Sequence, residues 1–377
     1  MRTRHSTLAF GLALLMLAPA AFASEPIRIG LIAELTGANA EFGQDAIVGS
    51  NIAMEEINRA GGILGRPLTI VSEDNQSTNP GSEVAMSKLL RGDGVKAIIT
   101  SPRSTQILAV MPAIARAGVP ALVCGTLYKL THAGNPWIFR VPPHDGYSSR
   151  ALAEFGVETL KKRKWAIVHS EESFGNAAMR SLVEQLAAFG LAPAAVYGAG
   201  STAHNFAPAV LAIRNSGADI VALYFARPEA AAKLAMQLRG AGVGSVLVGG
   251  SSMSSKAAMR IAGAALHGSY SAASYAAGAS VPAKAFAMKY TGRTGDRPDQ
   301  YASWAYDAVH LLAQAINNAG GTDPEAMRKG LMAIQGYQGA VGIYSFDRNG
   351  DGLHGYNILK NDGGKLAFVK NFSYPAK

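Results

Sequence analysis

KAIITSPRSTQILAVMPAIARAGVPALVCGTLYKLTHAGNPWIFR, residues Lys96–Arg140, contains two apolar, β-rich runs, Val95–Thr100 and Val119–Cys124. Each stops in a small hydroxyl-bearing loop: Ser101-Pro102-Arg103-Ser104-Thr105 after the first, Gly125-Thr126 after the second. Strand, loop, helix, strand is the grammar of a parallel sheet, and in an open parallel sheet ligands sit beyond the carboxyl ends of the strands. There the first amides of the following helices have no intrahelical partner and favour an anion. Ser104 is placed to cap the next helix while its amide and that of Thr105 stay free for an acid group, with Arg103 adding a fixed positive charge. Spacing alone leaves open whether Ser104 and Thr126 hold a ligand or only cap helices.

Outward from this stretch the alternation continues. Ile27–Ala33 is a short apolar run without helical period and ends in Glu34-Leu35-Thr36-Gly37. Ala46, Ile47, Ser50, Ala53, Met54 and Ile57 recur at spacings of three and four, predicting a helix from about Gln44 to Asn58. Leu68–Glu73 reads as a strand, and Asn79-Pro80 as the start of a helix with Asn at the cap. Pro112 predicts a kink or restart in the helix between the two quoted strands. After Arg140 a second unit of the same kind begins, with strands at Trp165–His169, Ala194–Tyr197, Ile220–Phe225 and Val246–Gly249. Helices around Ala177–Phe189, Phe206–Asn215 and Glu229–Arg239 separate them, and Val281–Tyr290, Tyr301–Asn318 and Pro324–Ala333 follow. Parallel sheets covered by helices on both faces are implied. The end changes character: Ala340–Phe346, Tyr356–Lys360 and Leu366–Asn371 are short strands joined by turns.

At 377 residues the chain is long enough for two domains, and 49% hydrophobic with 16% charged residues is a globular composition. Arg2, Arg4 and His5 precede the apolar run Leu8–Leu17, and Ala21-Phe22-Ala23 completes the pattern of a secretory signal peptide, residues 1–23. Its removal lowers the formal charge of +9 by two. No later segment has the length of a membrane span, so no membrane insertion is expected after cleavage. Cys124 is the single cysteine, which excludes an intrachain disulfide and leaves none near the cleavage site for a lipid. The periplasm of a Gram-negative bacterium is the expected compartment. Basic residues are scattered except for Lys161-Lys162-Arg163-Lys164, a cluster suited to a helix end, and nucleic acid is not an expected partner.

Enzyme signatures are missing. There is no Gly-x-Ser-x-Gly elbow, no phosphate loop and no GxGxxG after the first strand. Asp347-Arg348-Asn349-Gly350-Asp351-Gly352 imitates a calcium loop, but Ile358 stands where a bidentate Glu is needed, so it reads as a turn. The eight histidines are dispersed, and no metal or cofactor is expected.

Several ordered segments carry a family likeness: Ile29–Gly43 (IGLIAELTGANAEFG), Ala53–Arg66 (AMEEINRAGGILGR), Thr69–Asp74, Ala109–Pro120 (AVMPAIARAGVP), Gly134–Arg140, Trp165–Gly175 (WAIVHSEESFG) and Tyr306-Asp307-Ala308-Val309. They resemble the periplasmic solute-binding proteins of branched-chain amino acid ABC transporters, over essentially all of the mature chain. The resemblance implies a type I periplasmic binding fold, two doubly wound α/β lobes joined by three crossovers and closing on a ligand. The lobes are expected at 24–143 plus 272–344 and 144–271 plus 345–377, with crossovers near Val141–Gly146, Ser269–Ser274 and Tyr344–Asp347. It further implies that Ser104 and Thr126 grip a ligand carboxylate beside Thr105 and Gly125, that Phe42 and Phe174 wall the pocket, and that Asp145 matches an acid near the first crossover. Where relatives that bind amino acids hold the ammonium group with an acid, this chain has Ser251-Ser252, and Arg103 and Arg227 stand at positions where they either face the cleft or lie solvated on its rim. A pocket that loses an anion and gains cations suits an amine-free aromatic or aliphatic acid better than leucine.

The function expected is a monomeric, non-enzymatic receptor delivering a small carboxylate to an inner-membrane ABC permease. A ligand-sensing subunit for a membrane receptor shares this fold, and a secreted α/β enzyme is the rival from another class, distinguished by turnover of its ligand.

Overall fold

The computed structural model describes residues 25–375 apart from Asp93 and Ser201; the signal peptide expected at 1–23 lies outside the described residues. The first sheet is built from β1 (Ile27–Ala33), α1 (Ala40–Arg59), β2 (Leu68–Asp74), α2 (Asn79–Arg91), β3 (Ala97–Ile99), α3 (Ser104–Ala117), β4 (Ala121–Val123) and β5 (Ile138–Arg140). Its strands are all parallel in the order β2-β1-β3-β4-β5. The chain then enters a second unit: α4 (Asp145–Glu154), β6 (Trp165–Ser170), α5 (Ser173–Ala187), β7 (Ala195–Ala199), α6 (Ala207–Ser216), β8 (Ile220–Tyr224), α7 (Pro228–Gly240), β9 (Val246–Gly249), α8 (Lys256–Ala262) and β10 (Tyr270–Ala273). It returns with α9 (Val281–Thr294), α10 (Gln300–Ala319), α11 (Pro324–Met332) and the small ribbon β11 (Tyr337–Gln338) and β12 (Ile343–Tyr344), then ends in β13 (Gly355–Asp362) and β14 (Lys365–Ser373). The second sheet runs β14-β13-β10-β9-β8-β6-β7, parallel except for β13 and β14. This is the expected two-lobed α/β fold.

Hydrophobic period explains the packing. Strands β3, β4, β6 and β8 are buried throughout, as strands covered on both faces must be. Helix α10 lays one face on α1, so Trp304, Ala308, Leu311 and Leu312 join Ile29, Leu31 and Ala53 in the first core.

Three local expectations change, and one helix is new. Helix α2 is capped by Thr78, whose hydroxyl accepts from the Gly81 amide at 3.0 Å, because Asn79 is already within the helix. Helix α3 does not restart at Pro112 but continues through it, with Ile107, Val110, Met111 and Ile114 in the core despite the missing amide bond. Helix α4, followed by a π-helical turn over Phe155–Thr159, was not marked by any start signal read from the sequence. Ser104 does not cap α3. Arg103 holds that position with extended backbone, and Ser104 is the first helical residue.

Strand β10 stays paired with β13 as far as Ala273, within the window 269–274 where the second passage is expected. The turn at 347–352 still belongs to the first sheet's edge: the Arg140 amide donates to Gly350 O at 2.7 Å and the Gly352 amide to Arg140 O at 3.2 Å. Asp347 closes that turn by accepting from the Asn349 and Asp351 amides, so it is a turn, as its missing glutamate requires.

Candidate ligand-binding cleft

The strand-end loops of both lobes meet around one cleft that is partly open to solvent. From the first lobe come Phe42 of α1, then Pro102, Arg103, Ser104 and Thr105 at the start of α3, and Thr126 after β4. Glu172 and Phe174 from the β6–α5 junction, Phe225 and Ala226 after β8, and Ser251 and Ser252 after β9 come from the second. Gln300, Tyr301 and Trp304 of α10 complete the lining.

Of the ten residues expected at a site, Phe42, Arg103, Ser104, Thr105, Thr126, Phe174 and Ser251 line this cleft, and three do not. Gly125 does not line it; a Cβ there would come within 2.5 Å of Ile107 Cδ1 and 3.1 Å of Ser104 Oγ, so any larger residue requires those side chains to shift. Asp145 heads α4 and faces a second cavity with Tyr128, His144 and Arg180. Its amide donates to Thr126 O at 2.8 Å, so it braces the binding loop from outside. Burial pushes its carboxyl up to about 7, against the pull of the Thr126 hydroxyl and Arg140. Arg227 caps α7 by position and faces Glu229 at 3.9 Å, away from the cleft lining.

Sequence reading missed Glu172, Gln300, Tyr301 and Trp304. Glu172 follows β6 as directly as Ser101 follows β3, so the strand-end rule reaches it; it is half-buried, and its carboxylate accepts from Ser170 Oγ at 3.3 Å. The α10 residues arrive from far along the chain. Tyr301 stacks on Phe42 with centroids 4.1 Å apart, and Trp304 meets Tyr301 edge-on. The Trp304 indole donates to Ser274 Oγ at 2.7 Å, which fixes the ring.

The polar end of the cleft is the start of α3. The first intrahelical bond is from the Ile107 amide to Arg103 O, leaving the Ser104, Thr105 and Gln106 amides without an intrahelical acceptor. Ser104 Oγ accepts from the Leu127 amide at 3.3 Å, tying the loop after Thr126 to the same helix. Arg103 Nη1 is buried without a hydrogen-bond partner. Beneath it Glu34, at the end of β1, is fully buried with neither carboxylate oxygen hydrogen-bonded; burial pushes it up to about 7, with Arg103 and Gln106 pulling down. This end offers amides, hydroxyls and a guanidinium with one nitrogen unpartnered, a donor set for a carboxylate. Among the described residues no cluster of three or more His, Cys, Asp or Glu could hold a metal, and no helix is long and apolar enough to cross a membrane.

Two α/β lobes with their strand-end loops turned toward a shared cleft define a type I periplasmic binding fold. The description "periplasmic binding protein" matches residues 26–365, and the chain belongs to that family. It is 27% identical over 353 residues to the Leu/Ile/Val-binding protein homolog 3 of Brucella melitensis, covering 93% of this chain and 94% of the relative. A leucine binding protein, LivK, from Thermotoga maritima superposes with a TM-score of 0.86 at 23% identity, over 92% of this chain and 99% of that one. A solute binding protein from R. palustris in complex with benzoate gives 0.83 at 18% identity, over 92% and 96%.

Proposed function

We propose that this protein is a non-enzymatic, monomeric receptor of an ABC importer, exported by removal of residues 1–23, that binds a small carboxylate between its lobes and presents it to a permease. The observation that supports this most is the start of α3, where free amides, Ser104 and the Arg103 guanidinium, with its Nη1 unpartnered, converge on the cleft. The carboxylate lies there; Phe42, Tyr301, Phe174 and Phe225 enclose its apolar body. Ligand contacts to both lobes favour the closed form, the form a permease distinguishes from the open one. An amine-free acid is preferred to a branched-chain amino acid, because after β9 the cleft presents Ser251 and Ser252 and no acid. The benzoate complex of the R. palustris protein is in keeping with this.

Glu172 supports a second reading. It is an acid on the cleft wall and could receive the ammonium group of an amino acid, as the Leu/Ile/Val-binding name of the Brucella relative suggests. A thermal-shift screen of amino acids, aromatic acids, short fatty acids and their amides tests both. A ligand of the folded state at about 100 times its dissociation constant adds roughly 2.7 kcal/mol. Stabilisation by acids and not by amides supports the carboxylate. Stabilisation by leucine that is lost in Glu172→Gln selects the second reading. Mass spectrometry of periplasmic protein beginning at Met1 would refute the export reading.

A further inference from the structure

We propose that Lys256 is a positioning residue that sets ligand affinity without touching the ligand, by latching the two lobes together through Asp45. Lys256 begins α8, which packs on α7 in the second lobe; Asp45 lies on α1, which packs on β1, β2 and α10 in the first. Their side chains meet at 2.9 Å and are nearly buried, 13% and 7% exposed. Neither lines the cleft. Asp45 is fixed from its own side by a hydrogen bond from the Tyr290 hydroxyl of α9, so the first lobe presents a preorganised anion and the second a cation.

Three neighbours make this a seam. Lys256 lies 3.5 Å from Asp296, in the loop between α9 and α10. Arg260, one turn further along α8, pairs with Glu41 of α1 at 3.2 Å. Arg297 returns the contact by donating to Ser254 O at 3.2 Å. The groups facing Lys256 are therefore Asp45 on α1, Asp296 and Asp299 between α9 and α10, and the Tyr290 ring on α9, with Arg260 on its own helix. Asp299 is buried, and its carboxyl is pushed up to about 7 by burial and the Asp45 charge, against the pull of Lys256. Asp296 is exposed, but without Lys256 the seam holds two buried acids, Asp45 and Asp299, that separation of the lobes would hydrate. An equilibrium between open and closed forms transmits this directly: apparent affinity scales with the population of the binding-competent form.

The inference uses the cleft reading only for its consequence on affinity, and the deciding measurement needs no ligand. Glu83→Cys on α2 and Asn215→Cys on α6 place spin labels on exposed positions of the two lobes, while Cys124 is buried and does not label. Pulsed dipolar spectroscopy of the ligand-free full mature chain then gives the interlobe distance distribution. The latch predicts a compact component that falls about tenfold in Lys256→Met and is kept in Lys256→Arg, at an unchanged far-UV spectrum. Where Lys256→Met does not fold, Lys256→Gln keeps a donor toward Asp45, removes only the charge, and is read in the same way. Identical distributions in wild type and the neutral variants, or no compact component in wild type, overturn the proposal. A ligand of unexpected chemistry changes neither result.

Discussion

Arg103 is the residue at which the carboxylate reading is most exposed to refutation. It lies at the head of α3, half-buried on the cleft wall, with Nη1 buried and unpartnered. A ligand carboxylate that pairs with it gains a charge-assisted bond of about 1.5–3 kcal/mol, whereas a solvated rim arginine contributes about 0–1 kcal/mol. Arg103→Met keeps the apolar stem and removes the charge, so it should weaken binding by roughly 10–150-fold, and Arg103→Lys by less because a point charge replaces a fork. Calorimetry with the acid that gives the largest thermal shift is the assay. Removing the guanidinium also removes the charge that opposes neutralisation of Glu34, so Glu34 should stay protonated to higher pH in the variant. A dissociation constant within twofold of wild type, in a folded Arg103→Met protein, would refute the pairing.

Gly125→Ala should destabilise by about 1–3 kcal/mol and weaken ligand binding, since its Cβ meets Ile107, Leu130 and Ser104 side chains at 2.5, 2.8 and 3.1 Å; denaturation and calorimetry check the two effects. Glu34→Gln tests a buried acid whose folded value lies above its unfolded one. The stability of protonated Glu34 is fully present below about pH 4.5 and is lost as pH rises through about 7, so Glu34→Gln should gain on wild type by about 3 kcal/mol across that window. A gap that does not widen with pH removes the argument. Arg140 is fully buried, bonding Asp351 at 2.7 Å and the Leu127 and Tyr128 carbonyls at 2.6 and 3.0 Å. Arg140→Met should cost about 3–5 kcal/mol in urea unfolding by stranding Asp351, with much of it recovered on adding Asp351→Leu.

The strands and most helices were legible because both sheets are dominated by buried parallel strands that read as short continuous apolar runs, Ile27–Ala33 and Trp165–His169 among them. The same rule led from Thr100 and Val123 to Arg103, Ser104, Thr105 and Thr126, because parallel strands all point their carboxyl ends at one cleft. It stopped short at Glu172, although Glu172 obeys it. Tyr301 and Trp304 fall within the helix read at Tyr301–Asn318, and their place in the cleft follows from the packing of α10 on α1, a contact no local pattern encodes. Asp145 and Arg227 were expected in the cleft on family likeness; a one-dimensional match fixes which loop a residue occupies but not the direction its side chain takes. Likewise the turn at 347–352 was expected in the second lobe, yet its backbone bonds to Arg140 keep it on the first.

One titration bears most directly on the claim that the cleft is built for a carboxylate without an amine. Calorimetry with 4-methylpentanoate, leucine and 4-methylpentanamide holds the carbon skeleton constant while removing first the amine and then the charge. The structure predicts that the acid binds most tightly, leucine more weakly because it brings an ammonium group to Ser251 and Ser252, and the amide weakest because Arg103 and the α3 amides lose their anion. Leucine binding tightly while the acid does not, or the amide matching the acid, would contradict it.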